Sequence, residues 1–392
     1  MYKDTLGVLV FNKSKLTARC SYNELLSVRK VQFLVSLSVI LCLFVVQIDS
    51  SEAQVLSYPK TIIPVPHPVT SLLRAEPVHK ELGLSPTEIK EVETIVSEFD
   101  LPLWRLRDLP PHNRNAEAAP LIFQLNRKLV SVLSYRQLER LDQLVWQARG
   151  IEVILEPKIT LKLNLSPEQT NRIRVLLNTT YNKIASLRNN IEISSDSERA
   201  AYIQKFHAET HMEILTVLNS NQQNEFTKLM GRSFDFSGVR NIACKAPELQ
   251  IDKWINSSPV RLSELRGKVI VVHFYAFGCG NCIRTLPFYN DWLKQFPKSS
   301  FDIIGIHRPE TKQERDIEKV KDKALEAGIE YPVGIDNKSL TWDSWTNNIW
   351  PGIYLIDKNG FIRYWWYGEL NWQGTESEKF LQERITELIN EP

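Results

Sequence analysis

Val269-Ile270-Val271-Val272-His273-Phe274 leads through Tyr275-Ala276-Phe277-Gly278 into Cys279-Gly280-Asn281-Cys282. The first six residues form a nearly continuous apolar run, the pattern of a buried central strand. From Cys282 to Phe296 the pattern predicts a helix, so two cysteines stand at a strand-to-helix junction. A helix N-terminus presents unpaired N–H groups and a partial positive charge, both of which favour a thiolate at the first cysteine. Lowering a thiol pKa from about 8.5 to about 7 takes roughly 2 kcal/mol. A well-placed helix end supplies up to about that much. Cys282, one turn along and more buried, is expected to stay protonated until needed. Cys279 would attack a partner disulfide, and Cys282 would then resolve the mixed disulfide by attacking Cys279.

Outward from this junction, Phe301–Ile306 and Ile353–Ile356 read as further strands. Asp357-Lys358-Asn359-Gly360 reads as a hairpin turn into Phe361–Tyr367. Helices fit at Gln313–Ala327 and Thr375–Leu388, giving an α/β sandwich with a mixed sheet. Two other readings of the cysteine pair fit less well. A structural bridge over so short a loop removes little chain entropy, and a zinc site would lack two ligands. Of the five cysteines, Cys20 and Cys42 fall in the N-terminal region. Cys244, Cys279 and Cys282 are too few for a disulfide framework.

The 392 residues suggest about two folded domains. A net charge of +2, with both signs interspersed, argues against nucleic acid as a partner. Arg29-Lys30 precede an apolar run from Val31 to Val46, and Ser51-Glu52-Ala53 offers small residues for signal-peptidase cleavage. Residues 1–53 are therefore expected to be a signal peptide, with a membrane anchor over 31–48 as the alternative. Either one places the bulk of the chain outside the cytoplasm. Prolines at 59, 64, 66 and 68 predict an extended spacer over 54–80.

Residues 81–235 read as helical and internally duplicated. Leu82-Gly83-Leu84-Ser85-Pro86 returns as Leu163-Asn164-Leu165-Ser166-Pro167. Glu88 and Gln169 complete capping boxes with Ser85 and Ser166. A second pair of helix starts places Gln137 after Ser134 and Gln222 after Asn219. Apolar residues such as Ile173, Leu177, Ile184 and Leu187 then recur at helical spacing. His207 and His211 share a helix face, but nothing nearby in sequence completes a metal site, and packing is the simpler account. No metal and no cofactor is expected anywhere in the chain.

Within a domain expected over 245–392, residues from about Ala246 to Ile389 resemble the thioredoxin-like domains of the TlpA/ResA group, in particular its DipZ-like branch. The resemblance is carried by Ala246-Pro247-Glu248-Leu249, Leu262–Lys268 and Asn281–Pro287. It continues through Gly305–Glu310, Tyr331-Pro332-Val333, Asp336-Asn337, Trp350-Pro351 before Tyr354–Asp357, and Tyr367-Gly368-Glu369. It implies a thioredoxin-like sandwich, which with the helical reading of residues 81–235 makes an α+β multidomain chain, an all-α duplicated section preceding the sandwich. It also implies thiol–disulfide exchange with exported protein partners, a membrane relay as electron donor, and a cis peptide at Trp350-Pro351 beside the cysteines. Pro287 matches a proline that bends the active-site helix. His273 stands where thioredoxins carry an aspartate that assists the second cysteine. It is read either as a proton shuttle or as a hydrogen-bonded core histidine. Gly278 replaces the usual tryptophan and should expose Cys279. Cys244 is expected to be a linker thiol, with a resolving role as the alternative.

Two other functions compete. In one the helical section is a binding scaffold and the thioredoxin fold is redox-silent. In the other the protein is a peroxidase of the peroxiredoxin type, although Tyr275 and Phe277 flank the approach where that family places Thr-x-x-Cys.

Overall fold

The computed structural model describes residues 67–187 and 196–392. The expected targeting segment and anchor, Cys20, Cys42 and the first part of the spacer lie outside these residues. Among the described residues, no helix is long and apolar enough to cross a membrane.

The spacer expectation fails from Val69 onward. Helices α1 (Val69–Leu72) and α2 (Glu76–Leu82) occupy this stretch, and Val69, Leu72, Leu73 and Val78 are buried. The prolines do not prevent this because Pro68 caps α1 and Pro77 sits in the first turn of α2. No helical hydrogen bond needs a proline N–H at those positions.

The duplication is visible element by element. The first unit is α2, α3 (Pro86–Trp104), α4 (Pro111–Leu129) and α5 (Tyr135–Arg149). The second is α6 (Pro157–Leu163), α7 (Pro167–Leu187), α8 (Asp196–Val217) and α9 (Ser220–Met230). Both short helices close in the left-handed conformation, on Gly83 (φ 62°) and Asn164 (φ 48°), residues that adopt it at low cost. Leu84 N–H donates to His79 O at 2.9 Å, and Leu165 N–H to Thr160 O at 3.2 Å, so the same closing turn is made twice.

All four capping residues accept as expected: Ser85 from Glu88 N, Ser134 from Gln137 N, Ser166 from Gln169 N and Asn219 from Gln222 N. The caps also reach each other within each unit. Gln137 Nε2 donates to Glu88 Oε1 at 3.3 Å, and Gln169 Nε2 to Gln222 Oε1 at 2.8 Å. Each unit has its own apolar core, centred on Val92, Leu125 and Leu144 in the first and on Ile154, Ile173 and Ile214 in the second.

The C-terminal section contains β1 (Cys244–Lys245), β2 (Lys253–Ile255), β3 (Val269–Tyr275), α10 (Gly280–Gln295) and β4 (Phe301–His307). It continues with α11 (Ile317–Glu326), β5 (Val333–Ile335), α12 (Leu340–Ser344), β6 (Gly352–Ile356), β7 (Phe361–Tyr367) and α13 (Ser377–Asn390). One sheet runs in the order β1-β7-β6-β3-β4-β5-β2. The β3–β4 and β4–β5 pairs are parallel and the others antiparallel. The helix expected over Gln313–Ala327 is split, with a 3-10 turn at Gln313–Arg315 before α11. Asp316 starts α11 by accepting from Glu318 N and Lys319 N.

Alternate residues of β3 feed two cores. Val269, Val271 and Tyr275 face α10, α11 and α13. Ile270, Val272 and Phe274 face a second core that includes Trp345, Tyr354 and, from the end of α3, Trp104. The helical section therefore contributes to the sheet's core. Trp104 is 0% exposed, its ring meets Trp365 edge-on at 5.0 Å, and its indole N–H donates to Trp345 O at 3.0 Å.

Cys244 is not a linker thiol. It is 0% exposed in β1, paired with Ile362 in that second core. Burial first, and then nearby Asp100, push its thiol pKa well up. A sealed neutral thiol in a core that Cys279 does not share cannot resolve a disulfide at Cys279.

Candidate active site

The loop after β3 delivers Cys279 as the N-cap of α10, half-buried, and places Cys282 in the first turn at 1% exposure. Their sulfurs lie 2.8 Å apart, with Cys282 donating to Cys279. That hydrogen bond is the largest cause lowering the Cys279 pKa to about 7, and the N–H groups of Cys282 and Asn281 add to it. Burial, and then donation to Cys279, push the Cys282 thiol far upward. The two sulfurs thus differ as the helix-terminus argument requires, one disposed to ionise and one kept protonated.

Three carboxylates surround the pair, and none was assigned a role from sequence. Glu314, 2% exposed, accepts from Gly278 N (2.8 Å), Glu310 N (2.8 Å) and Thr311 N (2.7 Å). It ties the loop before Cys279 to the loop after β4, and these backbone bonds outweigh burial and lower its pKa. A Cβ at Gly278 would lie 2.7 Å from Glu314 Oε1, which accounts for glycine at that position. Glu310 has a raised pKa, from burial and then from Glu314, and its charge opposes ionisation of both cysteines. Glu369 binds the Arg284 guanidinium at 2.8 and 2.6 Å, and the same guanidinium reaches Asn281 Oδ1 at 2.6 Å. Arg284 lies close enough to Cys279 for the thiolate to favour its charge. Glu310 and Glu369 fall in stretches that carry the resemblance, yet the sequence assigns them no chemistry. Glu314 reads in sequence as one more polar residue at the start of an amphipathic helix.

The Trp350-Pro351 peptide is cis, as the resemblance implied. Trp350 packs against the same core as Cys279. Its indole donates to Arg308 O at 3.2 Å, and the Arg308 guanidinium lies 4.8 Å from its ring centre. His307 Nε2 accepts from Phe277 N at 3.3 Å, and burial lowers its pKa to about 4.

His273 meets neither expectation cleanly. It is 0% exposed, and burial holds its pKa at about 3, so it is neutral near pH 7. Nor does its ring hydrogen-bond to protein. It lies 4.2 Å from the Tyr289 ring, 5.1 Å from Tyr275 and 5.5 Å from Tyr331, centre to centre. Tyr275 and Tyr289 in turn lie close enough to Cys282 to feel its charge. His207 and His211 sit on α8. Among the described residues, no three His, Cys, Asp or Glu side chains are placed to hold a metal.

Residues 242–365 match the model of the AhpC/TSA family. Protein DipZ of Mycobacterium tuberculosis is 38% identical over 136 residues, which are 34% of this chain and 20% of that protein. The C-terminal third is a thioredoxin-like domain of the TlpA/ResA group. Thiol-disulfide oxidoreductase YkuV of Bacillus subtilis is 25% identical to the thioredoxin-like domain over 146 residues, 37% of this chain and 94% of that protein. A thiol-disulfide isomerase from Corynebacterium glutamicum superposes on 38% of this chain and 98% of its own, at 25% identity and a TM-score of 0.34. The chain spans about a fifth of the length of the DipZ proteins it matches.

Proposed function

We propose that the chain is an extracytoplasmic thiol–disulfide oxidoreductase exchanging disulfides with exported protein partners through Cys279 and Cys282. The observation that carries the reading is the 2.8 Å Cys282-to-Cys279 hydrogen bond at the start of α10. The Cys279 thiolate attacks a partner disulfide, forming a mixed disulfide and releasing one partner sulfur as a thiolate. Cys282 then gives up its proton and attacks Cys279 Sγ. The Cys279–Cys282 bond forms, the bond to the partner breaks, and the two released partner sulfurs take up protons. Regenerating the dithiol takes two electrons and two protons. A membrane relay is the donor class that the DipZ-like resemblance brings with it. The extracytoplasmic location rests on the pattern of residues 29–53. The cis Trp350-Pro351 segment supplies backbone against which an extended partner peptide can pair.

Insulin reduction by the full chain tests the reading. Cys279→Ser should abolish it, and Cys282→Ser should accumulate a mixed disulfide identifiable by mass spectrometry. Undiminished activity in Cys279→Ser would reject the assignment. Peroxide turnover is expected to be absent, because Ala276 stands where a Thr-x-x-Cys motif needs threonine.

A further inference from the structure

We propose that Arg107, in the turn after α3, is a positioning residue for peptide disulfides, holding the loop that ends at the cis proline. This rests on the exchange function proposed above.

Arg107 comes from the helical section, yet its side chain is 0% exposed. It donates to Thr346 O at 2.5 Å, to Trp345 O at 3.4 Å and to Tyr367 Oη at 2.7 Å. Its ion pair with Asp108 is long, at 3.6 Å, and Asp108 is partly solvated. Burying a guanidinium mainly against neutral acceptors is costly unless each N–H is well used. Here two of the acceptors are consecutive carbonyls of one loop.

That loop carries local backbone strain. Thr346 is left-handed at φ 53°, a conformation a β-branched residue adopts at a cost. The next residue, Asn347, is buried. It donates from Nδ2 to Ile349 O at 3.0 Å and accepts from Tyr354 Oη at 2.6 Å. Ile349 is followed directly by Trp350-Pro351. A continuous set of bonds therefore runs from Arg107 through residues 345–349 to the segment against which a partner peptide would lie. Trp104 grips the same loop through its indole N–H. A low-mass disulfide needs only the Cys279 sulfur, whereas a peptide needs this segment in place, so the effect of Arg107 should depend on substrate.

The test uses the full chain with two substrates, a disulfide-bonded peptide and hydroxyethyl disulfide. Arg107→Gln should raise KM for the peptide about tenfold, the equivalent of losing one hydrogen bond from a charged donor. Its rate with hydroxyethyl disulfide should stay within about twofold of the parent. Arg107→Lys, which keeps the charge without the planar fork, should fall between. Should Arg107→Gln not fold, Tyr367→Phe removes only the hydroxyl that accepts from Arg107 Nε and should shift the peptide KM in the same direction. An unchanged peptide KM in the folded variant, or equal losses on both substrates, overturns the proposal. A parent protein inactive on both substrates overturns the exchange function instead.

Discussion

Replacing Cys282 with alanine tests how the Cys279 thiolate is held. The structure gives Cys279 a pKa of about 7 and names the Cys282 hydrogen bond as the largest cause. A hydrogen bond to a charged acceptor is worth about 1.5–3 kcal/mol, or roughly 1–2 pKa units. Cys279 is half-buried, so solvent screening argues for the lower end. In Cys282→Ala the midpoint should therefore rise to about 8, and the thiolate fraction at pH 7 should drop from about a half to about a tenth. Cys282→Ser keeps a donor and should fall between. The measurement is thiolate absorbance near 240 nm against pH. Alkylation rates are less direct, because a more basic thiolate is also intrinsically more nucleophilic. A midpoint still near 7 in Cys282→Ala would refute the argument. It would assign the stabilisation to the Asn281 and Cys282 N–H groups alone.

Acid should destabilise the fold earlier than carboxylate titration requires. His273 and His307 are held at about 3 and about 4, against an ordinary value of 6.5. Both folded values are depressed, so the unfolded chain binds more protons and stability falls as pH drops below about 6.5. By pH 5 each should have cost about 2 kcal/mol, read from urea midpoints at pH 7 and pH 5. Glu314→Ala should cost on the order of 3 kcal/mol in urea unfolding, because it strands three backbone N–H groups. Gly278→Ala should cost about 1–3 kcal/mol alone, through its clash with Glu314 Oε1, and much less in the Glu314→Ala background. Additive losses in the double variant would refute that contact.

The legible parts of the molecule were those written in local patterns. Ser85, Ser134, Ser166 and Asn219 each announce a helix start through a partner three residues on, and all four caps form. The apolar run at Val269 and the turn at Asp357–Gly360 locate the strands for the same reason. The residues that escaped are those whose roles depend on distant partners. Glu314 becomes a brace only because Gly278 N, 36 residues earlier, points at it. Arg107 reads as one charged residue in a turn until Thr346, 239 residues later, comes beside it. Residues 69–80 are not spacer because prolines mark helix starts as well as extended chain. What separates the two is burial of Val69, Leu72 and Leu73, which is a tertiary fact.

The Trp104 indole has a consequence for anyone who wants the redox half by itself. A fragment beginning at β1 would lose the residue that fills the trough between Tyr354 and Trp365. Its newly wetted aromatic surface would invite self-association. In this chain the sheet's second core is completed by a residue of the helical section. Excising the catalytic portion calls for a redesigned patch as well as a new start codon.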